Sequence, residues 1–412
     1  MRFFDVVVVG AGPGGLVAGL LLSRSRAHVA VFEAGPSFER SYRGETLTPG
    51  TQQIFADLGL RDRIWALGGG DPSGVAVVVG GRTYEIDLVG DPHKRIRQVP
   101  QPLLLGLLAQ EARDAGALVQ MGTRVRGLVH DRDRIAGITV VEGGEPETIG
   151  ARLVIAADGR FSVARRDAEI KLLPTRVPFD LLWTSGRGSG RRVQVIVDEG
   201  EIFVAFPTTA HGAQIGWLIE KGSYASIRAH GLDWVRERIA RALARAHEPI
   251  EATIERFDDL SLLPVVSEIA ERWTVPGLLL IGDAAHPMSP VGGQGINVAI
   301  ADAVVAARTL AVAVREGETD TRIDELLRAV ERERAPSVRR IRTQQNILPN
   351  LLRTIGPERG LAFLGPLARR LVRGGNIPPP LRAAVDRFLL GDPPVRANHG
   401  PWITQPVATK FL

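Results

Sequence analysis

Cysteine is absent from the 412 residues. That excludes disulfides, iron–sulfur clusters, thiolate zinc sites, a catalytic thiol and any cofactor attached through cysteine. Lysine is scarce as well, occurring only at Lys94, Lys171, Lys221 and Lys410. Almost all the positive charge is therefore arginine, which does not titrate near neutral pH, and the formal net charge is only +5. The pairs Arg165–Arg166, Arg191–Arg192, Arg339–Arg340 and Arg369–Arg370 are scattered. Without a run of basic residues they read as solvated faces and ion pairs, not as a nucleic-acid tail. The eight histidines show no ligand spacing, which argues against a metal site. No apolar run is expected to reach the ~20 residues that span a bilayer. Met1-Arg2-Phe3-Phe4-Asp5 leads directly into a strand pattern with no signal peptide before it, so the expected location is cytoplasmic. Internal repeats and low-complexity segments are also missing.

What is present supports a large core, since hydrophobic residues make up 44% of the chain. The length suits two or three domains, or one carrying an insertion. Phe4 to Val9 is a short, valine-rich apolar run, the pattern of a strand buried on both faces of a parallel sheet. It ends in Gly10-Ala11-Gly12-Pro13-Gly14-Gly15, which fits G-x-G-x-x-G through Gly10, Gly12 and Gly15. A helical stretch, Leu16 to Ser23, follows, and then a second strand, Ala27 to Phe32, ending at Glu33-Ala34. Each part has a physical task in holding a dinucleotide. Gly10 permits the tight turn, Gly12 lets a pyrophosphate approach the backbone, and Gly15 lets the helix pack on the strand. The helix N-terminus offers unpaired N–H groups and a partial positive charge to phosphates. Glu33 is placed to accept hydrogen bonds from ribose hydroxyls.

Two later blocks extend the pattern. Val154 to Ala157 is an apolar run ending in Asp158-Gly159-Arg160. Gly277 to Ile281 leads into Gly282-Asp283-Ala284-Ala285-His286-Pro287, then Pro290-Val291-Gly292-Gly293-Gln294-Gly295-Ile296-Asn297 and an alanine-rich helical stretch, Val298 to Leu310. Here a carboxylate at the end of a strand precedes a glycine-rich helix start. Asp283 can accept from a sugar-like hydroxyl, and backbone N–H donors at residues 293–297 can stabilise negative charge on a reduced flavin.

In this order the three elements resemble the FAD-binding signature of the p-hydroxybenzoate hydroxylase superfamily of single-component flavoprotein monooxygenases, over roughly residues 4 to 310. Tyr42-Arg43-Gly44-Glu45-Thr46-Leu47 resembles the family's arginine loop. Gln98-Val99-Pro100-Gln101 resembles a segment bearing another FAD-contacting residue. The resemblance implies Glu33 at the adenosine ribose, Arg43 and Gln101 along the FAD, and Asp283 at the ribityl chain. It places Gly292, Gly293, Gly295, Ile296 and Asn297 around the isoalloxazine, and Gly10, Gly12, Pro13, Gly14, Gly15, Ala34, Asp158 and Gly282 elsewhere along the cofactor. Pro290 would sit at the reactive face, its carbonyl orienting a peroxide or the substrate. His286 is read as structural rather than as a base, and no tyrosine (Tyr42, Tyr84, Tyr224) sits in a transferable motif, so no substrate-activating base is assigned. The implied reaction uses non-covalent FAD, transient NAD(P)H and O2 to hydroxylate an organic, aromatic small molecule through a flavin C4a-hydroperoxide. A reductase or saturase of isoprenoid chains and a flavin-dependent halogenase are the alternatives. The halogenase lacks support because the expected tryptophan pair near Gly200 is missing and no lysine precedes Lys94.

The remaining segments predict a second unit. Gly74 to Leu88, split by Gly80-Gly81, is a hairpin pattern, and Val193 to Val197 with Ile202 to Phe206 is another. Gln214 to Glu220 adds a strand. The expected fold is α/β: a Rossmann-like FAD-binding domain (1–73, 98–173 and 266–345), an inserted antiparallel-sheet substrate domain (74–97 and 174–265), and a helical C-terminal region (346–412). Helices are expected over Trp234 to Ala246, Arg322 to Ile341 and Leu381 to Leu390. The C-terminal region is read as a pocket cap, a dimer element or a segment on a membrane surface, which leaves monomer and homodimer both open. Gly68-Gly69-Gly70 is read as a loop, so NAD(P)H would bind without a nucleotide fold of its own.

Overall fold

The structure, a computed structural model, describes residues 2–39, 46–87, 96–142, 144–175, 177–188, 190–208, 212–356 and 395–402. The arginine loop with Arg43 and the expected helix Leu381 to Leu390 lie outside the described residues.

The first sheet runs Leu118–Gln120, Val29–Phe32, Arg2–Val9, Glu145–Ala156, Leu278–Leu280, all parallel, with Thr274–Val275 antiparallel at one edge. Alternate side chains of a strand face opposite sides, and here both sides are buried. Val6, Val8, Val31, Leu153, Ile155 and Leu279 meet helices Pro13–Arg24, Gln101–Asp114 and Gly295–Arg315. Val7, Val9, Phe32, Val154, Ala156 and Leu280 pack on the other side against Ile138, Val140 and Trp273. This is why the strands read as unbroken apolar runs instead of alternating ones.

The strand expected over Val154 to Ala157 is much longer than that. Its first half pairs antiparallel with Arg134–Glu142, which in turn pairs with Arg124–Asp131. In Arg124–Asp131 exposed Arg124 and Arg126 flank buried Val125, so its apolar content is thin, whereas Arg134–Glu142 is largely apolar with Ile135, Ile138 and Val140 buried.

The helix from Gly295 corrects one expectation. With the preceding turn from Val291 it is long and apolar enough to cross a membrane by length and composition (mean hydropathy 1.7), but 78% of that window is buried inside the protein. Asp302, at 0% exposure, interrupts the apolar run and is paired within the fold. It is the central helix of the core.

The second sheet runs Ile250–Ala252, Phe179–Gly188, Gly212–Glu220, Glu201–Pro207, Arg192–Asp198, Gly74–Val79, Arg82–Asp87, with Ser261–Leu263 also on Phe179–Gly188. Both expected hairpins form. The strands Arg192–Asp198 and Gly74–Val79 pair parallel, because they come from separate stretches of chain and no hairpin turn constrains their direction. One face is sealed by helix Leu232–Leu243 through Phe203, Trp217, Val235 and Ile239. The opposite face carries Val204, Phe206 and Leu218, all half-buried, beside Trp183.

Helix Asp320–Ile355 runs well past the expected end at Ile341. Ile323, Leu327, Val330, Arg334, Val338, Ile341 and Gln345 recur at three- and four-residue spacing on its buried side. That continuous anchoring carries the helix through Pro336, where sequence alone allows a break.

Candidate functional site

The glycine loop turns between Val9 and Pro13. Gly10 adopts φ +97°, and a Cβ there would lie 2.5 Å from the Ala157 carbonyl oxygen, so only glycine makes this turn. The helix begins at Pro13, preceded by an extended Gly12 with no side-chain cap. The N–H groups of its first turn have no partner inside the helix. At Gly12 an added Cβ would meet nothing closer than the Ala157 oxygen at 4.0 Å. The loop is thus an uncapped helix end with open space at its second glycine, the arrangement a pyrophosphate needs.

The other two glycines of the motif serve packing. A Cβ on Gly15 would lie 2.0 Å from the Gly10 carbonyl oxygen, as expected for helix against strand. Gly14, grouped with the cofactor glycines from sequence, faces a different neighbour. A Cβ there would come within 2.9 Å of the Ala299 carbonyl oxygen, so Gly14 lets two core helices touch.

Glu33 follows the second strand as expected and is 9% exposed. Its carboxylate accepts from Ala11 N–H and Gly35 N–H, both at 2.9 Å. It therefore holds the glycine loop beside the strand end, with Ala34 exposed next to it. Gln101 is the first residue of its helix and is buried.

Asp158 is half-buried behind the glycine turn, and the burial of its carboxyl pushes that group up from the ordinary value. Its Oδ2 accepts from Val163 N–H at 2.7 Å and Ala164 N–H at 3.3 Å, so it closes the start of helix Val163–Asp167. Arg165 on that helix donates to the Ala284 carbonyl at 2.8 Å. The Asp158 motif and the Gly282-Asp283 motif are thereby tied together.

Gly282 has φ +57°, and a Cβ there would lie 2.9 Å from Ala299 Cβ. Asp283 beside it is half-buried. Pro290 starts the following turn, and its carbonyl accepts from Gly293 N–H at 3.0 Å. That bond uses one of the two lone pairs. Gly292 is exposed, Gly293 lies against Thr46, Gly295 opens the core helix, and Ile296 is buried. Asn297 accepts from Thr48 N–H at 2.9 Å and donates to the Thr46 and Gly293 carbonyls, both at 2.9 Å. The structure thus brings Gly282 to Asn297 together with Thr46–Thr48, and gives Asn297 the task of joining them.

Two buried residues escaped sequence reasoning. Gln345 donates to the Ser289 and Val291 carbonyls, both at 2.8 Å, and so supports the Pro290 turn from a distant helix. Asp302 pairs with His286 and Arg334. Neither lies in a motif. Only the polar residue within an apolar helical stretch marks Asp302.

A two-unit flavoprotein architecture fits these features, and comparison with known proteins specifies it. Residues 4–345 match the model of the FAD binding domain family, and the chain belongs to that family. It is 32% identical over 402 residues to a 6-methylpretetramide 4-monooxygenase of Streptomyces rimosus, covering 96% of this chain and 94% of the relative. Among solved structures, a p-nitrophenol 4-monooxygenase of Pseudomonas putida superposes with TM-score 0.75 at 18% identity, over 96% of this chain and 100% of the other. A flavin-dependent brominase gives TM-score 0.73 at 19% identity, over 95% and 94%, which shows a shared fold only. The protein is an FAD-dependent monooxygenase, a class whose typical reductant is NAD(P)H.

Proposed function

We propose that the protein hydroxylates a planar, polycyclic phenol held between the Gly282–Asn297 segment and the half-buried face of the second sheet. The observation that carries this reading is the composition and position of that face. Trp183 and Phe206 lie with ring centroids 5.9 Å apart. Trp183, Leu218 and Val291 all pack on the cluster of Val177, Phe179, Leu181 and Val265, so the aromatic wall adjoins the glycine-rich turn. A flat apolar ligand finds stacking area there. The named activity of the Streptomyces rimosus relative is in keeping with such a substrate.

The residues fit FAD. Gly12 leaves room for a pyrophosphate at an uncapped helix end, Glu33 would accept from the ribose, and Arg43 and Gln101 would lie along the cofactor. Asp283 would accept from the ribityl chain. The first turn of helix Gly295–Arg315 would bring N–H donors to negative charge on the ring. Bound FAD supplies the redox chemistry, by which substrate, O2, NAD(P)H and a proton give hydroxylated product, water and NAD(P)+. The chain orients the substrate, excludes water through its apolar wall and offers the second lone pair of the Pro290 carbonyl as an acceptor. The division into a cofactor unit (1–73, 98–173, 266–345) and a substrate unit (74–97, 174–265), the C-terminal region, and a cytoplasmic location belong to the same reading.

The test is turnover of polycyclic phenols under isotope-labelled dioxygen. Mass spectrometry should find one labelled oxygen atom in the product and rapid NAD(P)H consumption only with such substrates. An unlabelled product oxygen, drawn from water, overturns the reading, and oxygen-independent turnover overturns it in favour of a reductase.

A further inference from the structure

We infer that Asp302 is a positioning residue for the FAD site, acting through the Gly282-Asp283 turn. Its carboxylate lies entirely inside the protein. Oδ2 accepts from Gly282 N–H at 3.1 Å and lies 2.7 Å from His286 Nε2. Oδ1 accepts from Arg334 Nε–H at 2.8 Å. A carboxylate only accepts, so His286 carries its proton on Nε2. Burial alone would raise the Asp302 carboxyl, but the His286 ring and the Arg334 guanidinium outweigh it and hold the group below the ordinary carboxylate range. The ionised carboxylate thus takes three donors from three parts of the chain: the turn, the loop after it, and the distant helix Asp320–Ile355.

Backbone bonds shape the turn itself, with Ala285 and His286 N–H both donating to the Gly282 carbonyl at 2.9 Å, and Asp302 is the side chain that ties it to the core helix. Gly282 has no side chain, and its N–H is directed at Asp302 rather than into a sheet. The His286 ring has one polar anchor, since Nδ1 is buried without a partner, and it rests near Trp273 with centroids 4.9 Å apart. Asp302 stands on the same helix whose first turn holds Asn297. Asp302 therefore ties the Gly282-Asp283 turn to the helix on whose first residues Gly282 also packs, and the turn and that helix N-terminus are the two features expected to flank the ribityl chain and the ring. Arg334 borders the same cavity as Gln294 and Asn297, so the cation side of the network also reaches the glycine turn.

The inference rests on FAD occupying this site, which wild-type protein must first show by binding FAD. The experiment compares Asp302→Ala with Asp198→Asn. The latter disrupts an equally buried carboxylate–arginine pair, Asp198–Arg238 at 2.7 Å, in the second sheet away from the turn. Apoprotein Tm, FAD Kd and the visible flavin spectrum are measured for each. Both variants should lose thermal stability. Only Asp302→Ala should raise the FAD Kd, by about tenfold or more, and shift the flavin band. Should Asp302→Ala fail to fold, the pair Asp302→Asn with Arg334→Gln removes both buried charges. Its asparagine Oδ1 still accepts from Gly282 and His286, while its amide N–H faces the new side chain at position 334. That double variant should bind FAD within a few-fold of wild type, whereas Asp302→Leu with Arg334→Met, which lacks the acceptor, should not. Wild-type FAD affinity and spectrum in Asp302→Ala or in the leucine–methionine variant, or an equal loss in Asp198→Asn, overturns the assignment.

Discussion

Asn297 holds Thr48 by its backbone: the side-chain Oδ1 accepts the Thr48 N–H at 2.9 Å, although the two residues are 249 positions apart. The amide of the same side chain donates to the Thr46 and Gly293 carbonyls. The strand Thr46–Leu47 and the glycine turn are therefore one rigid piece. Asn297→Ala leaves a buried N–H and two carbonyls without these partners, and each unsatisfied group costs about 1–3 kcal/mol. The expected result is a lower Tm by calorimetry together with weaker FAD binding. Asn297→Asp should be no substitute, because its carboxylate cannot donate to the two carbonyls.

The glycines of the first motif separate into two kinds. Gly12 faces open space, whereas a Cβ at Gly14 would press on the Ala299 backbone. Gly12→Ala should leave the apoprotein Tm unchanged and raise the FAD Kd by blocking the approach of the phosphates. Gly14→Ala should lower the apoprotein Tm, with overpacking costing about 1–3 kcal/mol. Thermal melts of both apoproteins, followed by FAD titration, distinguish the two effects. A Tm loss in Gly12→Ala would contradict the assignment of that glycine to the cofactor.

Near the C-terminus, Arg396 grips Asp57 through Nε at 2.9 Å and Nη2 at 3.0 Å, and Ala397 N–H donates to the same carboxylate at 3.0 Å. Ala397 and Trp402 are buried in the main core. Burial tends to raise the Asp57 carboxyl, but hydrogen bonds from Arg396, Gln53 and Ala397 prevail and hold it below the ordinary value. A depressed carboxyl contributes stability above the unfolded-state pKa, about 4, and loses it as pH falls through the folded-state value. The segment 395–402 should therefore stay docked at neutral pH and release in acid, below about pH 4. Limited proteolysis across a pH series checks this. Arg396→Ala should expose the segment at neutral pH and flatten the dependence.

The parts legible in sequence were those where one physical requirement dominates a short stretch. Residues 4–33 combine a doubly buried strand, a turn that only glycine can make and a carboxylate at a strand end, and each leaves a mark within a few residues. The block from Gly282 to Asn297 is legible for the same reason. Partnerships set by distance in space were not. Nothing local at Gln345 announces that it will hold the Pro290 turn, and nothing at Asp302 names Gly282, His286 and Arg334 as its partners. The strand Arg124–Asp131 was hidden because exposed Arg124 and Arg126 flank its buried Val125. Helix Asp320–Ile355 outran its expected end at Ile341, and buried Gln345 continues its anchored side past that point. The packing of Gly14 on Ala299 was not legible either, because a motif gives spacing but not the neighbour on the far side of the helix.

The aromatic wall offers the most direct test of substrate choice. Trp183 is paired across the sheet with Gly216 and its indole lies over that glycine, where a Cβ would come within 3.0 Å of the ring, and Phe206 is paired with Gln214, which places an amide beside the rings. Trp183→Ala removes stacking area without touching the glycine loop or the Gly282–Asn297 segment. It should raise KM for a polycyclic phenol by about tenfold, the equivalent of roughly 1.4 kcal/mol, while FAD Kd stays at the wild-type value. Because the wall also excludes water, more of the NAD(P)H consumed should appear as hydrogen peroxide instead of product. Gln214→Leu should shift the preference toward substrates with fewer hydroxyls, since the one amide on that stretch of wall is lost. Steady-state kinetics with product and peroxide measured in parallel separate these outcomes. Unchanged KM and coupling in Trp183→Ala would place the substrate elsewhere than on this face.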